Sequence, residues 1–371
     1  GEKPTLALIN PEASMRMALG EALTNMSGVV ITGLNNVQVS ANWMAASGEN
    51  SDDLALRSGV EALSKIAIDL KVSIPVGKDS LSMRTKWSEK SKDFEVSSPL
   101  SGIVTAMAPV EDVTDSITPE LNLNENTCLL LIKLEDKNRL AGSIFSEVTQ
   151  SIYKSTPDIE NIDKFKKLFN TIQNLVKNKK IFAMHDISDG GLITTLLEMC
   201  FTKKIGMRVN MGETTLLNAA LFSEEIGFVI QVEKNNIEEI SKVFLKDNIF
   251  IKEIAELDDK TFSIVHNNIK IFDKSIIELE KVWRETSYAI QSVRDNKVIA
   301  DSELNLLDDK KYAGLKTNIS FDESQIKTFN TKNSLPKVAV LREQGVNGQN
   351  EMAAAFTLAG FDAYDVHMQD L

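Results

Sequence analysis

The stretch FAMHDISDGGLITTLLEMCF, which begins at Phe182, constrains the fold more than any other part of the sequence. The apolar residues before His185 are typical of a short strand, and the apolar residues after Gly191 recur at helical spacing. Between them lie two carboxylates, a hydroxyl and two glycines. Strands that alternate with helices are the signature of α/β folds. The stretch therefore predicts an α/β protein, and its polar loop is the first candidate for a functional site.

The same alternation continues along the chain. Buried strands are predicted at residues 4–9, 100–110, 127–134 and 226–232, and helices at 11–26, 52–70, 160–178 and 235–248. The stretch VSIPVGKDS predicts a strand, a turn at Gly77 and then a polar loop. Residues 111–126 are typical of a linker, and the weakly periodic residues 284–336 of a long connection that wraps over other domains. The residues after Pro336 predict strand, loop, helix and strand, the opening of another α/β domain.

Composition excludes several classes of protein. The chain has 371 residues and a net charge of -12, which argues against a general nucleic-acid or anionic-membrane surface. The apolar run around Cys128 to Leu134 is too short to span a bilayer, and the first residues lack the pattern of a signal peptide. The two cysteines, Cys128 and Cys200, lie in apolar runs, so we expect buried thiols and a cytoplasmic location. With three histidines in all, no zinc-type cluster is expected.

The HDISDGG loop admits two interpretations. A helix that starts after two glycines exposes backbone N–H groups, and its dipole favours an anion there. Asp186 and Asp189 would repel a bare phosphate, but Mg²⁺ between carboxylate and phosphate removes that conflict. Alternatively, Ser188 or Asp189 only caps the helix and the glycines only make a turn. His185 alone is more typical of a structural histidine.

Glu21 and Asn25 are a second candidate pair. They are four positions apart on the predicted helix 11–26, so their side chains lie on one face. Two oxygen donors at that spacing can share a hard cation. The alternative is a solvated glutamate and an asparagine near the C-terminus of a helix, where asparagine is common.

A third candidate is the segment PVGKDSLSMRTKW, in which Gly77, Lys78 and Ser80 precede Arg84 and Lys86. A basic and hydroxyl-rich cluster in an acidic chain is able to hold an anionic substrate. It lacks the spacing of a nucleotide-binding P-loop. A surface hairpin with charged edges is the alternative.

Together these segments resemble phosphoribosylformylglycinamidine synthase of the large, single-chain type. The matching stretches occur in the family's order and cover nearly the whole chain: GEALTN at 20–25, VSANWM at 39–44, IPVGKDSLSM at 74–83, HDISDGGL at 185–192 and VAVLREQGVNGQNEMAAAF at 338–356. HDISDGGL alone is shared with the wider superfamily of aminoimidazole-ribonucleotide-synthetase-like proteins. The LREQGVN segment separates the large synthase from those relatives.

The resemblance implies an α/β (α+β) fold with an A-type and a B-type synthetase subdomain and the first βα unit of a class I glutamine amidotransferase. The implied division is an A-type subdomain at 1–112, a linker at 113–125, a B-type subdomain at 126–285, a connector at 286–336 and the start of the glutaminase at 337–371. The implied reaction is an ATP-dependent ligation in de novo purine synthesis. It converts formylglycinamide ribonucleotide, glutamine and ATP to formylglycinamidine ribonucleotide, glutamate, ADP and phosphate. Partners would be these substrates and the rest of the same polypeptide, with no nucleic acid and no membrane.

The resemblance also assigns residues. Glu21, Asn25 and Asp186 match magnesium ligands, and Ser188 matches a contact to ATP or ADP. The backbone of Gly190 and Gly191 would add donors to the nucleotide phosphates. Gly77, Lys78 and Ser80 resemble a loop that holds substrate or phosphate.

Two features depart from the family. Neither Cys128 nor Cys200 lies in the setting of a glutaminase nucleophile, and an upstream aspartate ligand has no counterpart in this sequence. We therefore expect this chain alone to be inactive in the full reaction and to lack glutaminase activity. Two alternatives to the ligase remain open: a structural, non-catalytic nucleotide-binding half of that enzyme, and a free-standing small-molecule kinase of the same superfamily.

Overall fold

The computed structural model describes residues 1–48, 50–258, 261–309, 312, 314, 315, 317–322, 324, 335–343 and 345–371. The chain divides into two compact units, Gly1–Asp309 and Lys310–Leu371. The first unit therefore includes both predicted synthetase subdomains. The boundaries predicted at 112, 126, 286 and 337 stay predictions.

The N-terminal part of the first unit is built around helices and a small sheet. The helices are α1 (Pro4–Ala7), α2 (Pro11–Met26) and α3 (Asn50–Leu70), and the strands are β1 (Gln38–Met44), β2 (Ser73–Ser80), β3 (Arg84–Glu89), β4 (Lys92–Ser97) and β5 (Ser101–Met107). Strand β1 lies in the middle of a three-stranded sheet, parallel to β2 and antiparallel to β5. Strands β3 and β4 form a separate hairpin. Helices α2 and α3 pack on each other, and α2 also packs on β5.

The larger part of this unit is a seven-stranded mixed sheet with helices on both faces. Its strands are β6 (Thr127–Lys133), β7 (Ala183–Asp186), β8 (Gly206–Gly212), β9 (Gly227–Glu233), β10 (Phe250–Asp258), β11 (Thr261–His266) and β12 (Ile269–Ser275), in the order β12-β11-β8-β10-β6-β9-β7. Its helices are α4 (Ile144–Val148), α5 (Ile162–Lys177), α6 (Gly191–Lys203), α7 (Leu217–Phe222), α8 (Ile237–Leu245), α9 (Ile276–Arg294) and α10 (Lys297–Asn305). Strand β7 lies at one edge of the sheet, and α2 packs against it.

Alternate residues of the sheet enter two different cores, as the strand period of two requires. Phe228 and Ile230 of β9 belong to one core together with Phe165 of α5 and Leu19 of α2. Val229, between them, belongs to the second core, with residues of α6 and of strands β8 and β11. The first core therefore joins α2 to the large sheet without a break, and this positions α2 beside the HDISDGG loop.

The second unit has strand β13 (Lys337–Arg342), helix α11 (Gln349–Leu358) and strand β14 (Asp362–His367). The two strands are parallel neighbours, with Val338 opposite Ala363. This confirms the predicted strand, loop, helix and strand. Within the predicted connector 286–336, residues 310, 311, 313, 316, 323 and 325–334 lie outside the described residues, whereas helices α9 and α10 cover most of its first 20 positions.

Two local predictions were wrong. Residues 4–9 are not a strand, because Pro4 occupies the first turn of a short helix, where its fixed φ suits it, and the N–H of Ala7 donates to the carbonyl of Lys3. Gly77 is not a turn, and Gly77, Lys78 and Ser80 do not form a loop but lie in β2. Gly77 stands opposite Ala41 of β1, and a Cβ at this position would come within 2.4 Å of the Ala41 carbonyl oxygen. Glycine is needed here for a close approach of two strands.

Candidate functional site

The HDISDGG loop joins the end of β7 to the start of α6. Asp186 is the last residue of β7 and is buried. Gly190 and Gly191 have positive φ values of 83° and 72°, which favour glycine. A Cβ on Gly191 would lie 2.6 Å from the backbone carbon of Phe222, so the loop also needs glycine for space. These constraints explain the two glycines without any ligand.

Two hydrogen bonds join α2 to this loop. The Ser188 hydroxyl donates to Oε1 of Glu21. The Thr24 hydroxyl donates to Oδ2 of Asp186 over 3.2 Å. Three of the predicted site residues, Glu21, Asp186 and Ser188, are therefore brought together from positions more than 160 residues apart. Thr24 was missed, although it lies inside the GEALTN motif; its hydroxyl is the signal that the sequence offered.

Asn25 is placed differently from the other predicted ligands. Its side chain is exposed, and in the part of the chain that the structure describes it makes no hydrogen bond to Glu21 or Asp186. Asn25 lies on the same face of α2 as Glu21, because the two residues are four positions apart. Its role as a ligand stays a prediction.

Lys3 lies at the centre of the acidic side chains and was missed in the sequence. Only 5% of its surface is exposed. Its ammonium donates to Oδ1 of Asp189 and lies 3.8 Å from Oε1 of Glu21 and 3.7 Å from Oε2 of Glu224. Burial alone would lower the pKa of Lys3, but these carboxylates outweigh it and raise the pKa above its usual value. Lys3 is therefore charged at neutral pH.

Glu224 was also missed in the sequence. Its carboxylate lies against the N-terminus of α6, where Gly190 is the capping residue. Its Oε1 accepts hydrogen bonds from the backbone N–H groups of Gly190, at 3.0 Å, and Ile144, at 2.9 Å. Burial raises the pKa of Glu224, although Lys3 and the two N–H groups favour the charged form. The N–H of Gly191 donates to the carbonyl of Ser188 at 3.0 Å. Both N–H groups that were predicted to bind phosphate therefore have protein partners in this structure.

His185 links the loop to two helices. Its Nδ1 lies 2.8 Å from the carbonyl oxygen of Asp186, and its Nε2 lies 3.0 Å from Oε2 of Glu198 on α6. The indole N–H of Trp283 on α9 donates to the other oxygen of Glu198 at 3.1 Å. Burial would lower the pKa of His185, but the bonds to Asp186 and Glu198 raise it to about 9. Both ring nitrogens face acceptors, as a charged imidazolium requires.

A different cavity is lined by Gly77 and Lys78, and Ser80 lies beside it. It has a volume of about 470 Å³, and Trp43, Gly77 and Lys78 are among its lining residues. The Lys78 ammonium donates to the Ser80 hydroxyl over 3.0 Å. These residues are therefore close to one another, as the sequence predicted, but they lie on strand β2 and not in a loop.

The acidic side chains fit a magnesium ion shared with phosphate better than a metal held by protein alone. No group of three or more His, Cys, Asp or Glu side chains is arranged to hold a metal within the described ranges. Mg²⁺ needs only one or two carboxylates when phosphate oxygens and water complete its shell. Glu21 and Asp186, with the hydroxyls of Thr24 and Ser188 beside them, form such an oxygen-only set. No helix of the described residues has the length and apolar character needed to cross a membrane.

Sequence models of three domain families match the chain. The FGAR-AT PurM_N-like domain matches residues 1–109. The C-terminal domain of AIR synthase related proteins matches residues 125–267. The CobB/CobQ-like glutamine amidotransferase domain matches residues 335–371. The Glu21–Ser188 contact thus joins the first match to the second.

Solved structures show the same fold. Thermotoga maritima PurL complexed with FGAR is 12% identical with a TM-score of 0.59, over 75% of this chain and 44% of that chain. PurL of the same organism complexed with ATP is 11% identical with a TM-score of 0.53, over 74% of this chain and 42% of that chain. Phosphoribosylformylglycinamidine synthase II of T. maritima is 10% identical with a TM-score of 0.55, again over 74% of this chain and 42% of that chain.

The chain therefore spans less than half the length of these relatives. The domain order agrees with the resemblance seen in the sequence motifs, and the fold agrees with the solved structures. The chain thus carries, in this order, matches to an FGAR-AT PurM_N-like domain, an AIR synthase related C-terminal domain and a glutamine amidotransferase domain, and its fold is similar to that of T. maritima PurL.

Proposed function

We propose that this chain serves in the ATP-dependent conversion of formylglycinamide ribonucleotide and glutamine to formylglycinamidine ribonucleotide and glutamate, with release of ADP and phosphate. It would contribute one A-type and one B-type subdomain of the synthetase and the start of the glutamine amidotransferase domain. The order of the three matched domains supports this. We further propose a cytoplasmic location, in keeping with two free, buried cysteines.

The observation that carries the proposal is the hydrogen bond from Ser188 to Glu21. It connects the residue proposed to contact nucleotide with a residue proposed to hold magnesium. Thr24 and Asp186 make the parallel connection one helical turn away. A nucleotide site at this junction would use groups from both subdomains.

At this junction Glu21, Asn25 and Asp186 would hold Mg²⁺, which when bound neutralises the charge of the nucleotide phosphates. Thr24 holds the Asp186 carboxylate in place through its hydrogen bond. Ser188 would donate its hydroxyl to a phosphate oxygen after releasing Glu21. The N–H groups of Gly190 and Gly191 would serve phosphate only after Glu224 and the Ser188 carbonyl give them up.

Lys78 and Ser80 are proposed to hold an anionic group of the substrate beside Gly77. Their mutual hydrogen bond and the adjoining cavity support this assignment. An ammonium and a hydroxyl on neighbouring positions of one strand face are able to bind two oxygens of one phosphate.

A second candidate function is a nucleotide site that only stabilises the protein. The ion pairs of Lys3 with Glu21 and Glu224 favour it, because they make this junction one that already links two distant parts of the chain. Incubation with Mg²⁺ and ATP separates the two functions: release of ADP above a buffer blank supports catalysis, and bound nucleotide that does not turn over supports the structural role. A free-standing kinase is less well supported, because residues 335–371 match an amidotransferase domain.

The proposed site is tested by thermal denaturation of the full chain with Mg²⁺, ADP or both. We expect both together to raise the melting temperature more than either alone. At a ligand concentration about a hundred times the Kd, the gain in the free energy of unfolding is roughly 2.7 kcal/mol. The variants Asp186→Asn and Glu21→Gln should lose most of this gain, and Glu280→Gln, which changes a buried carboxylate on α9, should keep it. A full gain in Asp186→Asn, or no gain in the unaltered chain, would count against the site.

A further inference from the structure

Lys3 is the feature of this region that the proposed function does not use. Its side chain is 6% exposed, and three carboxylates surround its ammonium. Two of them, Glu21 and Glu224, are themselves largely buried. The third, Asp189, lies at the surface and accepts the hydrogen bond.

The charges around Lys3 are unequal. Three carboxylates meet one ammonium, whereas the buried Asp186 carboxylate beside them has the His185 ring at 3.4 Å. Buried carboxylates are costly unless cations or hydrogen bonds compensate them. In this structure Lys3 is the cation that Glu21, Asp189 and Glu224 share.

The same oxygen of Glu21 serves two purposes. Oε1 faces the Lys3 ammonium and accepts the hydrogen bond of Ser188. The other oxygen, Oε2, accepts the backbone N–H of Glu2 over 3.2 Å. Mg²⁺ holds its oxygen ligands at about 2.0–2.1 Å in a strict octahedron. A magnesium ion on Oε1 and an ammonium at the present position of Lys3 would repel each other at short range.

We propose that Lys3 is the resident cation of this carboxylate group and that Mg²⁺, on binding to Glu21, displaces its ammonium. Lys3 thereby sets how tightly the junction holds Mg²⁺. The inference rests on the proposed function, since it concerns the same site. It makes Lys3 a positioning residue: it holds Glu21, Glu224 and Asp189 together in the absence of metal and weakens the affinity for metal by competing with it.

The geometry provides a place for the displaced ammonium. Asp189 is 61% exposed, so it is able to follow Lys3 toward solvent without loss of their hydrogen bond. Glu224 keeps two backbone N–H partners when Lys3 moves away. Glu21 keeps the N–H of Glu2, but it loses the Ser188 hydroxyl if Ser188 turns to phosphate, so Glu21 is the carboxylate left facing the incoming ion.

The test is calorimetric titration of Mg²⁺ into the full chain, with and without saturating ADP, at constant ionic strength. We expect Lys3→Met to bind Mg²⁺ at least tenfold more tightly than the unaltered chain, because the competing charge is gone. Lys133→Met is the matched control: Lys133 is equally buried, at 6% side-chain exposure, but pairs with Asp136. Its Kd for Mg²⁺ should not change. Adding Glu21→Gln to Lys3→Met should abolish the gain.

Lys3→Met leaves buried carboxylates without their cation, so its folding is checked by circular dichroism. The double variant Lys3→Met/Glu224→Gln removes one charge of each sign and keeps an acceptor for the N–H of Gly190. It should show the same gain in Mg²⁺ affinity, and it replaces Lys3→Met in the comparison if that variant does not fold.

The possible results distinguish the exchange of Lys3 for Mg²⁺ from the proposed magnesium–nucleotide site itself. Measurable Mg²⁺ binding by the unaltered chain, with tighter binding when Lys3 is removed, supports the exchange. Mg²⁺ binding by the unaltered chain with equal or weaker binding by both Lys3 variants overturns the exchange and leaves the proposed site standing. Absence of Mg²⁺ binding in all of these proteins overturns both.

Discussion

The Ser188 hydroxyl donates a hydrogen bond to Glu21, a residue 167 positions earlier in the sequence. Ser188 lies in the loop after β7, and Glu21 lies on α2. The contact draws a loop of the large sheet to a helix of the N-terminal region. Its neighbours, Thr24 and Asp186, repeat the link.

The first prediction concerns the buried pair Arg139 and Glu225. The guanidinium donates to both carboxylate oxygens, at 2.7 and 2.8 Å, and Glu225 is almost fully buried. Arg139→Met leaves a buried carboxylate unpaired, so we expect the free energy of unfolding to fall by about 3–5 kcal/mol. Urea denaturation followed by circular dichroism measures it. Arg57→Met, which breaks the exposed pair with Glu61, is the control and should cause no measurable change. Equal effects of the two changes would contradict the prediction.

The second prediction concerns Gly77. Because a Cβ there would meet the Ala41 carbonyl oxygen at 2.4 Å, Gly77→Ala must push β1 and β2 apart. We expect a loss of roughly 1–3 kcal/mol in the free energy of unfolding. Val76→Ala, at the exposed neighbouring position of the same strand, should cost much less. Unchanged stability of Gly77→Ala would show that the strands separate without cost.

The third prediction concerns the pH dependence of stability. The pKa of His185 is raised from 6.5 to about 9 in the folded chain, so the folded state holds a proton that the unfolded state releases between these values. The stabilisation is complete below about pH 6.5 and is lost as the pH rises through about 9, up to roughly 3 kcal/mol.

Denaturation at a series of pH values in a metal-free buffer measures this effect. Glu198→Gln removes one acceptor of the imidazolium, so its stability should depend less on pH over the same range. A pH profile identical to that of the unaltered chain would argue that Glu198 does not hold the proton on His185.

The fourth prediction concerns the two thiols. Burial raises the pKa of Cys128 to about 11 and raises that of Cys200 as well. Thiolates are the reactive form, so both cysteines should resist Ellman's reagent at pH 8 in the folded chain. Both should react at once in denaturant. Fast reaction of one thiol in the native chain would mean that its core opens locally.

The sequence predicted most of the elements, because their apolar periodicity is strong. The spacing of apolar residues in α2, α3 and α5 and the unbroken apolar run of β6 all led to the correct type of element. The secondary structure predicted from local residue types was wrong in two places. Residues 4–9 look apolar enough for a strand, but Pro4 suits the first turn of a helix, and Pro4–Ala7 are helical. Gly77 looked like a turn because glycine permits turns, yet it also permits two strands to approach closely.

Of the candidate site, sequence alone pointed to three residues that the structure brings together and that are proposed to bear the chemistry: Glu21, Asp186 and Ser188, each within a recognisable motif. Only the tertiary structure shows which other side chains surround these three residues. Lys3 and Glu224 stand outside those motifs, and their partners are far away in the chain, so periodicity and spacing carry no information about them. Electrostatic interactions act through space and depend on burial, and burial is known only when α2, the HDISDGG loop and the segment before β9 are folded against one another.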